Sequence, residues 1–293
     1  MSELFPGFVK KTVVTKATTI NLVTAGKGPP LLLLHGYPQT HVMWHIVAPR
    51  LAADFTVVAP DLRGYGDSSC PATTPDHFSY SKRATAQDMV EAMHSLGFER
   101  FYVAGHDRGA RVTHRLALDH ADRVEKAAVL DIAPTAKVFA TVNQMVATAY
   151  YHWFFLIQPF DLPERLIGAD PEYYIRKKLQ AWSAGGVAFA PAAMAEYVRC
   201  FKKPEVIHAS CEDYRAAASI DLEHDRADGG KKVACPLLAL WGERGRVHSA
   251  YDVLAVWRER AVDVQGRALP SGHFLAEEAP DETWRELKSF FQD

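Results

Sequence analysis

Five short apolar runs constrain this chain more than any other feature. They are residues 31–34 (LLLL), 55–59 (FTVVA), 101–104 (FYVA), 127–130 (AAVL) and 237–241 (LLALW). Each ends at a residue suited to a turn: His35-Gly36, Pro60-Asp61, Gly105, Asp131 and Gly242. Runs of this length, apolar on both alternating faces, read as strands buried on both sides, the mark of a parallel sheet. Helical patterns over 80–96 and 110–120 lie between them. Alternating strand and helix predicts an α/β fold with a mostly parallel central sheet flanked by helices. The Val, Thr and Ile alternation over 11–22 predicts antiparallel strands ahead of it. Residues 137–217 break the pattern, because no buried-strand run occurs there. Aromatics crowd that stretch instead, from Tyr150-Tyr151-His152-Trp153 through Tyr173-Tyr174, Trp182 and Tyr197. It reads as an inserted helical cap, with the core formed by 1–136 and 218–293.

Composition removes several classes of function. At 293 residues, 48% hydrophobic and 23% charged, the chain is long and apolar enough to bury a full core. Thirty-three basic against 35 acidic residues leave a net charge of −2, so no basic surface is expected for nucleic acid. No apolar run is long enough to span a bilayer, so no membrane partner is expected. The first residues carry no charged n-region followed by an apolar stretch, so no secretory leader is expected. The four cysteines, Cys70, Cys200, Cys211 and Cys235, show no CxxC spacing. They predict neither a disulfide framework nor a zinc site, and the expected setting is cytoplasmic.

The chemistry concentrates at strand ends, where open α/β sheets place their ligands. Gly105-His106-Asp107-Arg108-Gly109 follows an apolar strand and precedes a helix. It fits the G-x-nucleophile-x-G turn, with Asp in the nucleophile position. A carboxylate there can displace a leaving group from saturated carbon and form an ester. Water must then attack that ester, which requires a general base and an oxyanion hole. The base is expected late in the chain, and His273 is the only histidine after position 248. Asp131 and Glu243, each just past a strand, are the candidates for the acid that orients it. Asp131 is favoured because it is immediate to its strand end and its side chain is shorter. The backbone N–H groups of Tyr37 and Arg108 are expected to form the oxyanion hole, since Pro38 has no N–H.

With these residues assembled, the chain resembles the α/β-hydrolase superfamily end to end. Within it the chain resembles the fluoroacetate (haloacetate) dehalogenases. The carrying motifs are residues 35–40 (HGYPQT), 61–68 (DLRGYGDS), 105–111 (GHDRGAR), 130–135 (LDIAPT), 151–153 (YHW) and 271–274 (SGHF). The resemblance implies Asp107 as nucleophile, Asp131 as acid and His273 as base. It implies that Arg108 and Arg111 hold the substrate carboxylate and that His152, Trp153 and Tyr214 receive the halide. It also implies a homodimer. Arg108 stands where related enzymes acting on neutral haloalkanes and epoxides usually carry Trp. Two guanidiniums beside a carboxylate nucleophile suit an anionic substrate, because they offset carboxylate–carboxylate repulsion and can bind it through paired hydrogen bonds. An imidazole, an indole and a phenol each offer a donor to departing halide. Residues 241–246 (WGERGR) carry more charge than the family pattern leads one to expect.

The expected activity is therefore hydrolysis of fluoroacetate and/or chloroacetate to glycolate and halide, with no cofactor and no metal. Two rivals stand beside it. One is an epoxide hydrolase using the same acid–base set, with Tyr150, Tyr151 or Tyr214 protonating the alkoxide. The other is a non-catalytic small-molecule receptor on the hydrolase fold. Among weaker features, Gly64-Tyr65-Gly66 reads as a turn, not a dinucleotide loop, for lack of the third glycine. His41 and His45 lack the Glu of a zinc helix. Asp61 to Arg63 reads as structural, and 277–286 as a solvated acidic helix start.

Overall fold

The computed structural model describes residues 3–185 and 189–292. Residues 1–2, the start of the segment read for a leader, and 186–188, within the expected cap, lie outside the described residues. Eight strands form one sheet: β1 (Val9–Val14), β2 (Thr19–Ala25), β3 (Pro30–Leu34), β4 (Thr56–Pro60), β5 (Phe101–His106), β6 (Val124–Leu130), β7 (Leu237–Gly242) and β8 (Val264–Leu269). Their order across the sheet is β1-β2-β4-β3-β5-β6-β7-β8. β2 runs antiparallel to both neighbours, and every pair from β4 to β8 is parallel.

The five apolar runs are the five strands β3 to β7, and their side chains form the floor of the core. Burying such a Leu or Val contributes about 1.5–3 kcal/mol per side chain. β8 was not legible in the same way. It is an edge strand interrupted by Gly266, and its buried residue is Leu269, so no continuous apolar run marks it. The predicted helices occupy Lys82–Ser95 and Arg108–Asp119. Between β6 and β7 the described residues contain eight helices and no strand.

Several motifs serve the frame. Asp61, just past β4, accepts from Asn21 Nδ2 at 2.8 Å and from the backbone N–H groups of His41 and Asp67 at 2.9 Å each. It also meets the His41 ring at 2.7 Å. A Cβ on Gly66, whose φ is 60°, would fall 2.1 Å from Asp61 Cγ, so this glycine closes a turn over the carboxylate. Glu277 departs from expectation. It is not solvated: Gln39 Nε2 donates to it at 2.6 Å and Tyr197 Oη at 2.9 Å. Burial pushes its carboxyl up to about 8.

Candidate active site

β5 and the helix Arg108–Asp119 meet at Asp107, whose φ of 47° and ψ of −112° lie outside the regions side chains ordinarily adopt. The turn is tight enough to exclude a Cβ on either flank. One on Gly105 would lie 2.4 Å from Gly109 O and Thr113 Oγ1, and one on Gly109 would lie 2.3 Å from His35 O. Asp107 N–H donates to Leu130 O at 3.2 Å, which ties the turn to β6. Tyr37 N–H donates to Asp107 Oδ1 at 2.9 Å. One of the two expected oxyanion donors therefore already holds this oxygen. Arg108 N–H heads the following helix, where the first backbone donors lack intrahelical acceptors.

Asp131 follows β6 with φ 51°. Its Oδ1 accepts from Gly242 N–H at 3.0 Å, and its Oδ2 lies 2.6 Å from His273 Nδ1. His273 Nε2 in turn lies 3.9 Å from Asp107 Oδ2. Asp107, His273 and Asp131 are thus brought into one chain of contacts, while Glu243 is exposed to solvent. Burial alone would lower the His273 pKa. The hydrogen bond to Asp131 and the charges of Asp131 and Asp107 outweigh it and raise the imidazole above its ordinary value. Burial likewise opposes ionisation of Asp107, but His273, His106, Arg108 and Arg111 hold its pKa below the usual carboxylate value. Asp107 is accordingly ionised. His106, passed over in the sequence, packs its ring 4.5 Å from that of His273 and meets His273 O through Nε2 at 2.7 Å. Burial lowers it to about 3, so it is neutral and packs against His273 as an uncharged ring.

The arginines are more committed than the sequence implied. Arg108 Nε donates to Asp213 Oδ2 at 2.7 Å, and Nη2 to Asp213 O at 2.7 Å and Oδ1 at 3.0 Å. Asp213 also pairs with Lys82 and accepts from Tyr65 Oη at 2.8 Å. Arg111 Nη1 donates to Ala133 O at 3.0 Å and Thr135 Oγ1 at 2.9 Å. Arg108 Nη1 and Arg111 Nε are buried without a protein acceptor among the described residues. So are His152 Nδ1 and Tyr214 Oη without a partner. These groups are neighbours. Arg108 lies 4.2 Å over the Tyr214 ring, and Arg111 lies 4.6 Å over that of Trp153. The centroids of Tyr214 lie 5.6 Å from His152 and 6.0 Å from Trp153. A single arginine gripping a carboxylate with both ends is not available at Arg108.

A cavity of about 370 Å³ opens onto Asp107, Asp131 and His273. Its walls include His152, Tyr150 and Trp182 from the helical insertion and Arg244 and Arg246 from the turn after β7. Lys178 was also missed. Its Nζ is buried 3.6 Å over the Tyr151 ring, and burial lowers it to about 7. Asp213 carried a usable signal, since it directly precedes Tyr214. Lys178 carried none beyond sharing a helix face with Trp182, one of the aromatics that crowd this stretch.

A carboxylate nucleophile on a strand–turn–helix elbow, backed by a histidine and a second carboxylate, defines an α/β hydrolase that works through an aspartyl ester. Residues 29–280 match the family of the alpha/beta hydrolase fold. A fluoroacetate dehalogenase of Burkholderia sp. is 48% identical over 99% of this chain and 96% of its own length. A soluble epoxide hydrolase of Corynebacterium sp. (strain C12) is 37% identical over 89% of each chain. Among solved structures, a Nostoc sp. PCC 7120 protein provisionally described as an α/β hydrolase superposes with a TM-score of 0.96 at 65% identity, covering 97% of this chain and 98% of that one. The chain belongs to the α/β-hydrolase family and, within it, to the fluoroacetate dehalogenases. No described helix is long and apolar enough to cross a membrane.

Proposed function

We propose that this chain hydrolyses haloacetates, fluoroacetate and/or chloroacetate, to glycolate and halide, with Asp107 as nucleophile, His273 as base and Asp131 as its orienting acid. The observation that carries the reading is the set of buried, unpaired polar groups around an ionised carboxylate: Arg108 Nη1, Arg111 Nε, His152 Nδ1 and Tyr214 Oη. A buried donor without an acceptor costs about 1–3 kcal/mol. Several at one nucleophile are accounted for by a ligand that brings acceptors, and a small halo-carboxylate brings them at both ends. The indole of Trp153 completes the halide side.

Tyr37 N–H occupies Oδ1, so Oδ2 attacks the halogen-bearing carbon in line. The C–O bond forms as the carbon–halogen bond breaks, and halide leaves toward His152, Trp153 and Tyr214. His273 Nε2 then takes a proton from water as the oxygen adds to the ester carbon. Negative charge develops on Oδ1 at the Tyr37 and Arg108 N–H groups. Collapse breaks the bond between the ester carbon and Oδ2, the imidazolium gives its proton to the departing glycolate oxygen, and Asp107 is regenerated with one oxygen from water as the new carboxyl loses its proton to solvent. Residues 137–217 act as the lid that keeps bulk water from the halide. The protein works in the cytoplasm as a homodimer, a reading supported by exposed Phe160, Leu162, Leu166 and Tyr173 on the helical insertion; light scattering of the purified chain tests it.

The deciding experiment is halide release, with a fluoride electrode for fluoroacetate and a chloride assay for chloroacetate, and Asp107→Asn as the blank. Release of either ion by the wild type and at least a thousandfold loss in the variant are expected. An inactive wild type that hydrolyses an epoxide would overturn the proposal in favour of the epoxide reading.

A further inference from the structure

Arg108 and Arg111 are 0% and 4% exposed, so neither can meet an anion in solution. Two other arginines can. Arg244 and Arg246 are exposed, yet both line the cavity that holds Asp107, Asp131 and His273. The turn that carries them is tied to the catalytic acid. Gly242 N–H donates to Asp131, and a Cβ on Gly245 would lie 3.2 Å from Asp131 Oδ1. Arg246 also lines a second, more open space of about 660 Å³, with Tyr150 and Trp182 common to both. It stands where that outer groove joins the catalytic cavity. Among the described residues neither arginine has a carboxylate within 4 Å. The side-chain hydrogen bond of Arg244 goes to Pro270 O at 2.6 Å, which leaves its charge uncompensated. Glu243, beside them in sequence, lines neither space.

We infer that Arg244 and Arg246 form an outer carboxylate-binding subsite at the cavity mouth, which takes anionic substrate from solvent ahead of the buried arginines. The inference rests on the haloacid reading of the inner site and extends it to how the substrate arrives. Two carboxylates at the bottom of the cavity, Asp107 and Asp131, repel an incoming anion. Cations at the rim of a low-dielectric cleft offset that repulsion, raise the local anion concentration and speed association at low salt. The inner arginines cannot make this first contact, because both are buried and the charge of Arg108 is already paired with Asp213.

The test uses full-length Arg244→Gln/Arg246→Gln beside Arg244→Lys/Arg246→Lys. Chloroacetate and neutral chloroacetamide are compared at low and high ionic strength set with a non-halide salt. For the glutamine variant, kcat/KM for chloroacetate falls about tenfold at low ionic strength while kcat stays within twofold. The loss shrinks at high ionic strength, chloroacetamide is unaffected, and the lysine variant recovers most of the rate. Equal losses on both substrates, or no loss on chloroacetate, overturn the subsite. Calorimetric titration with glycolate separates this from failure of the dehalogenase reading. Should the wild type release no halide, tighter glycolate binding by wild type than by the glutamine variant still supports the subsite. Equal binding overturns it.

Discussion

At the residue scale, the base role proposed for His273 is governed by charges that change during the reaction. In the free protein Asp107, 3.9 Å from His273 Nε2, is ionised and helps to raise the imidazole pKa. A base must be neutral, so this charge works against hydrolysis. Forming the ester removes it. The imidazole pKa then falls, because one of the charges that raised it is gone, and the base becomes available when it is needed. His273 should therefore titrate at lower pH in Asp107→Asn than in the wild type, as followed by nitrogen NMR of the ring. An unchanged titration would mean that Asp107 does not control the base. Activity should be lost on the acid side, as His273 protonates in the ester state. His273→Asn should accumulate a carboxymethyl ester on Asp107, seen as a mass gain on its peptide, with turnover down at least a thousandfold. A halide burst with no adduct would remove His273 from the hydrolytic step.

At the scale of elements, the site depends on one turn packed with no spare volume. The contacts at Gly105 are backbone and a buried threonine, neither of which can swing away. Gly105→Ala should cost about 3 kcal/mol or more, since overpacking a tight site forces backbone shifts. The loss would appear as a lower denaturation midpoint, together with reduced activity from a displaced Asp107. Full activity and stability would show that the turn can relax. The helix Pro204–Ala218 plays a matching part from the other side. It presents Asp213 to Arg108 and places Tyr214 under the same guanidinium. The position of Arg108 and that of the Tyr214 ring beneath it are thereby set by consecutive residues of one helix.

At the scale of the molecule, the helical insertion is fastened to the core near Glu277. Tyr197, on the helix Pro191–Phe201, and Gln39, in the loop after β3, both donate to this one carboxyl. Its pKa is raised from 4.5 to about 8 by burial, so the folded protein favours the protonated form. The sign follows from linkage. The folded state binds the proton more tightly, so this contribution to stability is complete below about pH 4.5 and is lost as pH rises toward 8. Glu277→Gln removes the titration and keeps a neutral hydrogen-bonding group. The variant should gain about 1–3 kcal/mol over the wild type at pH 8 and little at pH 5, read from urea midpoints at the two pH values. A gain independent of pH would assign the effect to packing alone.

What was legible in the sequence is what depends on local pattern. Buried strands must be apolar on both faces, so β3 to β7 announced themselves, whereas the half-exposed edge strand β8 did not. A strand–turn–helix elbow needs glycines around its nucleophile, so Asp107 was readable, and chain order pointed to His273. Residues 151–153 and the Asp-Arg pair carried the family likeness. What the chain's order could not express is which charges meet across long separations. Asp213 holding Arg108, His106 holding the backbone of His273, and Glu277 lying buried and not solvated all join residues 80 to 238 positions apart or turn on burial. The choice between Asp131 and Glu243 was of the same kind, because both follow strands. Only packing brought one carboxylate within 2.6 Å of the imidazole and left the other in water. Local pattern decides backbone conformation, but the energy of a charge depends on its desolvation and its partners, and those exist only once the chain has folded.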